Sequence, residues 1–427
     1  MQIERAFKEL KIEGNIFLAV AAKWEKSVLS FPKTNPHFMK REFYEKYYAM
    51  TGAEDNLVPL MDQVAAMVES SPAMQLFAWH CHNALCFYDI RRFDDWPELD
   101  TYFGNNCGMF YLMIWLSAIP EWIKTYRRMG IPEEYAKAAA QGLKGAIHIC
   151  KSAHNGYPGL DRKQLHWCRW YIEGCVFRIG RFEYMHSKLN KNYPVIYKHK
   201  ETKQIVAMCN SGWLLDENGF RLYEDQAKED ALLISKLLEN QQDTCGTPIS
   251  PNGHALTNTQ IRLLSSEWEK VLSDEDYALE VHIPGGGKMT LDACGESFKD
   301  AGKFYRRYFP DKKVKAFFSV SWIFNPNLEE ELPKSNLAGF MKQLYLFPWQ
   351  SSGREGMFFI FGRECDDWRN YPADNSVRQA MLNILKSDRR LKNGGMFYLA
   401  EHVNRFGEEY YRNGFNLSQN IEIPKGI

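Results

Sequence analysis

The chain has 427 residues, of which 45% are hydrophobic and 25% charged, a composition that is typical of a globular protein and excludes a disordered chain. Its 53 Lys and Arg residues balance 53 Asp and Glu residues, and the formal net charge of zero argues against nucleic-acid or acidic-membrane partners. Ten cysteines without a Cys-x-x-Cys pair are typical of reduced thiols in a cytoplasmic protein.

The first 154 residues are predicted to form a helical domain. Residues 1–20 mix charged and apolar side chains and lack the apolar core of a signal peptide. The longest apolar run, Cys107–Pro120, is only about 14 residues and too short to span a bilayer. The spacing of apolar residues predicts helices over 55–70, from Pro72 onward and over 132–153. We therefore expect a bundle of about six helices.

Strand patterns dominate after the breaker cluster Asn155–Gly159. The next predicted elements are a helix over 161–172, a strand over 176–185, a hairpin of 194–199 and 204–210, a helix over 231–240 and a loop over 243–259. Further strands are predicted over 277–283, 314–324, 344–349, 357–361 and 395–399, and further helices over 291–308, 335–344 and 377–386. The fold class is predicted as α+β, with an all-α bundle (1–154) followed by a mixed α/β sheet domain (155–427).

A glycine-rich turn between a strand and a helix is the most informative motif. Gly285, Gly286 and Gly287 follow the predicted strand, and Lys288 precedes the helix that begins near Leu291. Bare glycine backbone lets a ligand approach closely, and the free N–H groups of a helix start favour anionic oxygen. The spacing matches neither a Walker loop nor G-x-G-x-x-G. The turn is interpreted as a diphosphate site, or alternatively as a flexible connection.

Glu280 and His282 lie on the same face of the strand that leads into this turn, because side chains alternate along a strand. A histidine titrates near neutral pH and suits a general base, and a neighbouring carboxylate would orient it. The alternative is a pair of polar residues on a solvated sheet face.

Three other patterns have both a chemical and a structural interpretation. Cys294 falls in the first turn of the following helix, where the helix dipole favours a thiolate nucleophile, or it is simply packed there. His82 and Cys86 have the i, i+4 spacing of metal ligands or are core residues of one helix face. Ser319 and Ser321 alternate on a strand, where their hydroxyls can bind a ligand or each other.

An ordered series of short motifs resembles bacterial acyltransferase-domain proteins, which pair a helical N-terminal domain with a GNAT-like C-terminal domain. The motifs are Val176–Arg181, Gly246–Gly253, His282–Gly286, Ala293–Phe298, Tyr308–Pro310, Ser321–Trp322, Leu332–Pro333 and Ser335–Asn336. The resemblance is clearest from about residue 160 to 362 and extends over most of the chain.

The resemblance implies a specific chemistry. In GNAT-type enzymes acyl-CoA lies between two splayed parallel strands, its diphosphate sits on a loop that leads into a helix, and an amine attacks the thioester directly. The implied roles are diphosphate binding by Gly285, Gly286, Gly287 and Lys288, a general base at His282 or Glu280, a cleft lined by Ser319 and Ser321, and protonation of the leaving thiolate by Tyr305. The usual phosphate-loop spacing of that superfamily is absent, which puts CoA binding in question.

We therefore expect a cytoplasmic N-acyltransferase that uses acyl-CoA (acetyl-CoA) as co-substrate, needs no metal and acylates an amine of a small-molecule acceptor. No nucleic-acid or membrane partner is expected, and the acceptor, the acyl length and the oligomeric state stay open. The alternative is a non-catalytic ligand-binding protein that keeps this scaffold without CoA. A third possibility is acyl transfer or hydrolysis through the Cys294 thiol.

Overall fold

The computed structural model describes residues 2–12, 20–88, 90, 93–225, 233–362, 367–418 and 421. The chain folds as two compact units, one of residues 1–178 with 284–286 and the other of residues 179–283 with 287–427. The sequence analysis predicts the domain boundary between residues 154 and 155, before the helix Leu165–Glu173. In the structure that helix belongs to the first unit, where Tyr171 packs on Trp122 with ring centroids 5.3 Å apart.

The first unit is helical in its described part as far as Glu173, and its residues 176–178 begin the first strand, Val176–Ile179. Its α-helices are α1 Ile3–Glu9, α2 Trp24–Ser30, α3 Arg41–Thr51, α4 Val58–Glu69, α5 Pro72–Cys86, α6 Asp100–Phe103, α7 Cys107–Arg128, α8 Glu133–Ala140, α9 Leu143–Ala153 and α10 Leu165–Glu173. The helix predicted over 132–153 is divided into α8 and α9 at Gln141 and Gly142. The other predicted helices of this region are confirmed.

Helix α7 is the centre of the first unit. Every residue from Met109 to Ile119 is buried, which is typical of a helix surrounded by others on all sides. Helices α3, α4, α5, α8 and α10 pack around it. No helix in the described ranges combines the length and the apolarity needed to cross a bilayer.

All the strands of the described residues lie in the second unit except the first, of which only Ile179 does. The strands are β1 Val176–Ile179, β2 Phe182–Lys188, β3 Val195–His199, β4 Ile205–Met208, β5 Leu214–Leu215, β6 Leu233–Ile234, β7 Leu238–Glu239, β8 Asp243–Gly246, β9 Pro248–Ser250, β10 His254–Ala255, β11 Ile261–Leu264, β12 Trp268–Leu272, β13 Tyr277–His282, β14 Ala316–Ser321, β15 Tyr345–Pro348 and β16 Gly394–Leu399. A six-stranded sheet has the order β1-β2-β13-β14-β16-β15, and a five-stranded sheet the order β10-β9-β4-β3-β12. Two small sheets are β11-β8-β7 and β5-β6.

Helix α11, Leu291–Tyr308, connects the parallel strands β13 and β14. It packs one face on the six-stranded sheet, where Phe298 and Phe317 stack with centroids 4.6 Å apart. The remaining helices are α12 Pro326–Glu331, α13 Asn336–Gln343, α14 Met357–Phe361, α15 Ser376–Lys386 and α16 Tyr410–Asn413. The predicted mixed sheet and the predicted β13–α11–β14 segment are confirmed.

Four predictions for the sheet region are wrong. The strand predicted over 176–185 is divided by the turn at Gly180 into β1 and β2. The helix predicted over 231–240 is replaced by β6 and β7, although residues 231 and 232 lie outside the described residues. The loop predicted over 243–259 contains β8, β9 and β10, because pairing with other strands outweighs its polar composition. The strand predicted over 357–361 is helix α14, which buries Met357 and Phe361 at i, i+4 and leaves Phe359 51% exposed.

Buried Ser297 holds α11 to the β1–β2 turn. Its hydroxyl donates to the Ile179 carbonyl oxygen at 2.6 Å and accepts from the Phe182 N–H at 3.3 Å. The Tyr184 hydroxyl lies 2.7 Å from the same oxygen. Gly180, with φ of +61°, makes the tight turn that brings these groups together.

Replacing Ser297 by alanine should lower the free energy of unfolding by about 1–3 kcal/mol, because buried polar partners lose their hydrogen bonds. Urea unfolding monitored by tryptophan fluorescence measures the change. Ser266→Ala, at an exposed position, is the control and should shift stability by less than about 0.5 kcal/mol. Equal effects of the two substitutions would contradict the structural role of Ser297.

Candidate active site

Strands β13 and β14 separate before they end. They pair with each other only at Leu279–Phe317 and Glu280–Phe318. Strand β13 nevertheless stays paired with β2 as far as His282, and β14 stays paired with β16 as far as Ser321. The C-terminal ends of these two parallel strands are therefore open toward each other. Backbone N–H and C=O groups along such an opening can hydrogen-bond an extended ligand.

Glu280 lies at the last residue pair before this opening. Its Oε2 accepts a hydrogen bond from the Ser187 hydroxyl at 3.2 Å, and its Oε1 lies 3.8 Å from Nε2 of His282. Burial raises the pKa of the Glu280 carboxyl, against a smaller lowering by the Ser187 hydrogen bond. The structure thus brings the two predicted base residues together on one face. A carboxylate whose pKa is moved toward neutrality suits general base catalysis.

The glycine turn is exposed and leads into a capped helix. Gly285, Gly286, Gly287 and Lys288 are all exposed to solvent. The Thr290 hydroxyl caps α11 by accepting from the Ala293 N–H at 3.3 Å. Gly285 and Gly286 belong to the first unit, where Gly285 packs against Gly145 of α9, and Gly287 and Lys288 belong to the second. The assignment of these four residues to diphosphate binding stays a prediction.

Arg181 is a candidate phosphate ligand that the sequence did not indicate. It follows Gly180 in the β1–β2 turn, and its Nε lies 3.1 Å from the position that a Cβ on Gly287 would take. Its charge also lowers the pKa of Cys294, in the first turn of α11, against the larger effect of burial. The second unit thus places a guanidinium beside Gly287 at the N-terminal end of an 18-residue helix. A hairpin prediction for 176–188 would have found it.

Ser319 and Ser321 lie on the opposite sheet face from Glu280. Residues paired across neighbouring strands share a face, so Glu280 shares its face with Phe318, whereas both serines share theirs with Phe317. Ser319 is buried, and Ser321 accepts from the Ile323 N–H at 3.5 Å to cap a short 3₁₀ turn. Their assignment to the acyl or pantetheine cleft stays a prediction.

Tyr305 lies in the core of the second unit rather than at the opening. It is 1% exposed, and its hydroxyl donates to the Tyr184 carbonyl oxygen at 3.0 Å. It belongs to the buried face of α11. Because a proton donor must reach the leaving thiolate, this position corrects the assignment of Tyr305 as the acid.

Cys294 is buried in the same helix face, and burial raises its pKa to about 12, so its thiolate form is disfavoured at neutral pH. We expect Cys294→Ala to keep acyl-transfer turnover within about 3-fold of wild type, because a direct attack uses no enzyme nucleophile. Intact-mass spectrometry of the wild-type chain after incubation with acyl-CoA should show no covalent acyl adduct. A covalent adduct on the wild-type chain that is absent from Cys294→Ala would instead support acyl transfer or hydrolysis through the Cys294 thiol.

The His82–Cys86 pair lies in the core of the first unit. Nδ1 of His82 is 2.8 Å from the Ser117 hydroxyl, and burial lowers the pKa of His82 to about 3. The described residues contain no group of three or more His, Cys, Asp or Glu side chains that could hold a metal ion. The cysteines in the described part are free thiols, and Cys365 lies outside it.

Comparison with known protein families identifies both parts of the chain. Residues 176–397 match the GNAT-like C-terminal domain, and residues 41–174 match the N-acyltransferase N-terminal domain. The first match alone covers more than half of the chain. The chain belongs to this GNAT-like N-acyltransferase family.

Several solved structures share the fold of this GNAT-like acyltransferase. One is an acyltransferase in complex with decanoyl-CoA and teicoplanin. It has a TM-score of 0.61 and 16% identity, and the match covers 94% of this chain and 100% of that one. A mutant acyltransferase in complex with octanoyl-CoA also has a TM-score of 0.61 and 16% identity, over 93% of this chain and 99% of that one. At this identity the likeness shows the fold. No curated protein sequence matches the chain.

Proposed function

We propose that this protein transfers an acyl group from acyl-CoA to an amine of a small-molecule acceptor. The observation that carries the proposal is the early end of the β13–β14 ladder, which leaves an opening between two parallel strands beside Glu280 and His282. The similar acyltransferase structures hold decanoyl-CoA and octanoyl-CoA, which supports acyl-CoA as the donor. The sequence analysis leaves the acyl length open, and we keep acetyl-CoA, the co-substrate named there, in the donor series.

The residues present suit the parts of acyl-CoA. The open strand ends offer backbone hydrogen-bonding groups to the amides of the pantetheine arm. In the second unit Arg181, Gly287 and Lys288, next to the start of α11, offer positive charge and bare backbone to the diphosphate. The diphosphate role of Gly285 and Gly286 rests on the sequence alone. Ser319 and Ser321 are retained as cleft residues on the α11 side.

The proposed reaction is a direct transfer. The acceptor nitrogen attacks the thioester carbonyl carbon, the carbon–sulfur bond breaks, and an amide and free CoA form. Glu280, with His282 beside it, takes the proton that the attacking nitrogen loses. The carboxylate is regenerated when that proton passes, directly or through water, to the thiolate of CoA. We place this activity in the cytoplasm of a bacterial cell, as the sequence indicates.

Two measurements test the proposal. Isothermal titration of the full chain with CoA should give saturable binding, and mass spectrometry should detect an acylated amine from acetyl-, octanoyl- or decanoyl-CoA. Binding without transfer to any primary amine would favour the non-catalytic ligand-binding alternative. Neither heat nor a thermal shift at millimolar CoA would reject CoA as a ligand.

A further inference from the structure

An aromatic cluster covers the sheet face beside Glu280. We call Tyr193, Phe318, Phe347 and Trp349 the aromatic wall. The Tyr193 ring lies 5.0 Å from the Phe318 ring at 78°, and 5.1 Å from the Trp349 ring at 46°. Phe318 and Phe347 are buried, whereas Tyr193 and Trp349 are partly exposed. The two partly exposed rings therefore offer aromatic surface to a ligand.

The register of the sheet places this wall next to the predicted base. Glu280 is the ladder partner of Phe318, so the carboxylate and the wall share one face. Tyr193 is near enough to Glu280 for that carboxylate to raise the pKa of the Tyr193 hydroxyl, in addition to the larger effect of burial. Gly395 lies between Val320 and Phe347, and a Cβ there would collide with the Phe347 ring. The missing side chain is thus what allows Phe347 to lie over the sheet.

The loop that carries Tyr193 is held by a buried cation. Arg221 donates to the Asn192 carbonyl oxygen at 3.0 Å and to its Oδ1 at 2.9 Å. Trp213 Nε1 donates to the Lys191 carbonyl oxygen at 3.1 Å, and the Tyr193 N–H donates to the Asn190 carbonyl oxygen at 2.9 Å. Three of these hydrogen bonds therefore fix the backbone of residues 190–193, which leads up to the ring, and the fourth holds the Asn192 side chain.

Arg221 is only 7% exposed, and no carboxylate in the described ranges forms an ion pair with it. Burial lowers its pKa to about 10. Its guanidinium lies 4.6 Å from the Trp213 ring centroid and 5.7 Å from that of Trp349. Burying a charge is costly, and this guanidinium is held by Asn192 and by the two tryptophan rings. These contacts point to a positioning role of Arg221 for the Asn192–Tyr193 loop and for Trp349.

We propose that the aromatic wall and Glu280 form the acceptor subsite, and that this subsite selects a primary amine attached to an aromatic group. Arg221 positions the Tyr193 and Trp349 rings of the wall. Aromatic rings attract a further ring in offset or edge-to-face geometry and attract an ammonium group through their faces. The carboxylate beside them attracts the same ammonium. One proton leaves the ammonium to solvent before the attack, and Glu280 takes the second proton as the amide forms. The inference rests on the proposed function, since it names the acceptor class for that site.

The experiment compares 2-phenylethylamine with n-hexylamine, two primary amines of similar apolar size, at saturating acyl-CoA. We expect kcat/KM to favour the aromatic amine by about 3- to 10-fold, the scale of one or two aromatic contacts. Trp349→Ala should remove this preference through KM for the aromatic amine and leave KM for acyl-CoA unchanged. Tyr277→Ala, a half-exposed aromatic residue at the other end of β13, should keep the preference.

The positioning role is tested with Asn192→Ala, at an exposed site where misfolding is not expected, and with Arg221→Lys. Both should reduce the aromatic preference without changing KM for acyl-CoA, whereas Tyr193→Phe should keep it because the ring remains. Saturation-transfer NMR of 2-phenylethylamine with the full chain, without CoA, should show binding that Trp349→Ala abolishes and Tyr277→Ala does not.

The outcomes separate the two proposals. If 2-phenylethylamine binds at the wall but no acyl transfer occurs, the proposed function fails and the aromatic-amine subsite stands. If transfer proceeds with equal kcat/KM for both amines, and Trp349→Ala and Asn192→Ala change nothing, the acceptor subsite is overturned while the acyltransferase assignment survives.

Discussion

Replacing Glu280 by glutamine should lower kcat for acyl transfer to an amine by about 10²–10⁴-fold at neutral pH, the scale of general base catalysis. The substitution keeps the shape of the side chain and can still accept from Ser187, but it removes the proton acceptor at the last β13–β14 residue pair. KM for acyl-CoA should change little, because the carboxylate belongs to the proposed acceptor subsite.

The pH profile sharpens this expectation. A general base acts in its deprotonated form, and burial raises the pKa of Glu280, so kcat should fall as the pH drops through a value above the usual carboxyl range. Glu280→Gln should abolish this acidic limb. His282→Ala is the companion variant, since His282 is the other predicted base, and a loss of the same size would assign the proton to the imidazole. Near-wild-type kcat in both variants would remove the pair from the mechanism.

Replacing Arg181 by alanine should weaken CoA binding by about 10- to 100-fold, the range for loss of a charge-assisted hydrogen bond to phosphate. Arg181 lies beside Gly287 near the first turn of α11, and the family motif Val176–Arg181 that includes it gave it no binding role. Isothermal titration with CoA measures the effect directly, and the affinity should fall with added salt because ions screen the contact.

Two controls locate the effect on the diphosphate. Acyl-pantetheine lacks that group, so its kcat/KM should be the same for wild type and Arg181→Ala. Lys303→Ala removes an exposed cation from the same helix and should leave CoA affinity unchanged. An equal loss with CoA and with pantetheine would instead indicate that Arg181 supports the fold.

The sequence predicted secondary structure correctly where an element is determined by residues close to it in the chain. The strand, glycine turn and helix from Glu280 to Ser297 were predicted correctly, because a threonine cap and glycines act within a few residues. The segment 357–361 was assigned wrongly because a short apolar run fits a strand or a buried helix equally well. Its flanking Gly356 and Gly362, both with positive φ, end the single helical turn.

The site could be predicted only in part. Tyr193 lies in a loop that tertiary contacts bring to Phe318, and no sequence spacing records this. Arg181 lies in the β1–β2 turn beside Gly287, which only a hairpin prediction for 176–188 would have indicated. Whether Ser319 and Ser321 share a sheet face with Glu280 depends on the β13–β14 register, which the sequence does not reveal either. The burial of Tyr305, in contrast, could have been predicted from the sequence. Its spacing from other small or apolar residues of α11 is helical and marks the buried face, which contains Cys294, Phe298, Ala301 and Tyr305.

The six-stranded sheet is joined across its middle by two residue pairs, between the halves β1-β2-β13 and β14-β16-β15. An acyl-CoA molecule bound in the opening between β13 and β14 would add hydrogen bonds between the two halves of the sheet, and these bonds are lost when it dissociates. Ligands that bind only the folded chain stabilise it by mass action, by about 2.7 kcal/mol at a hundredfold excess over Kd. The lifetime of this protein against unfolding and proteolysis should therefore follow the metabolic supply of its own substrate.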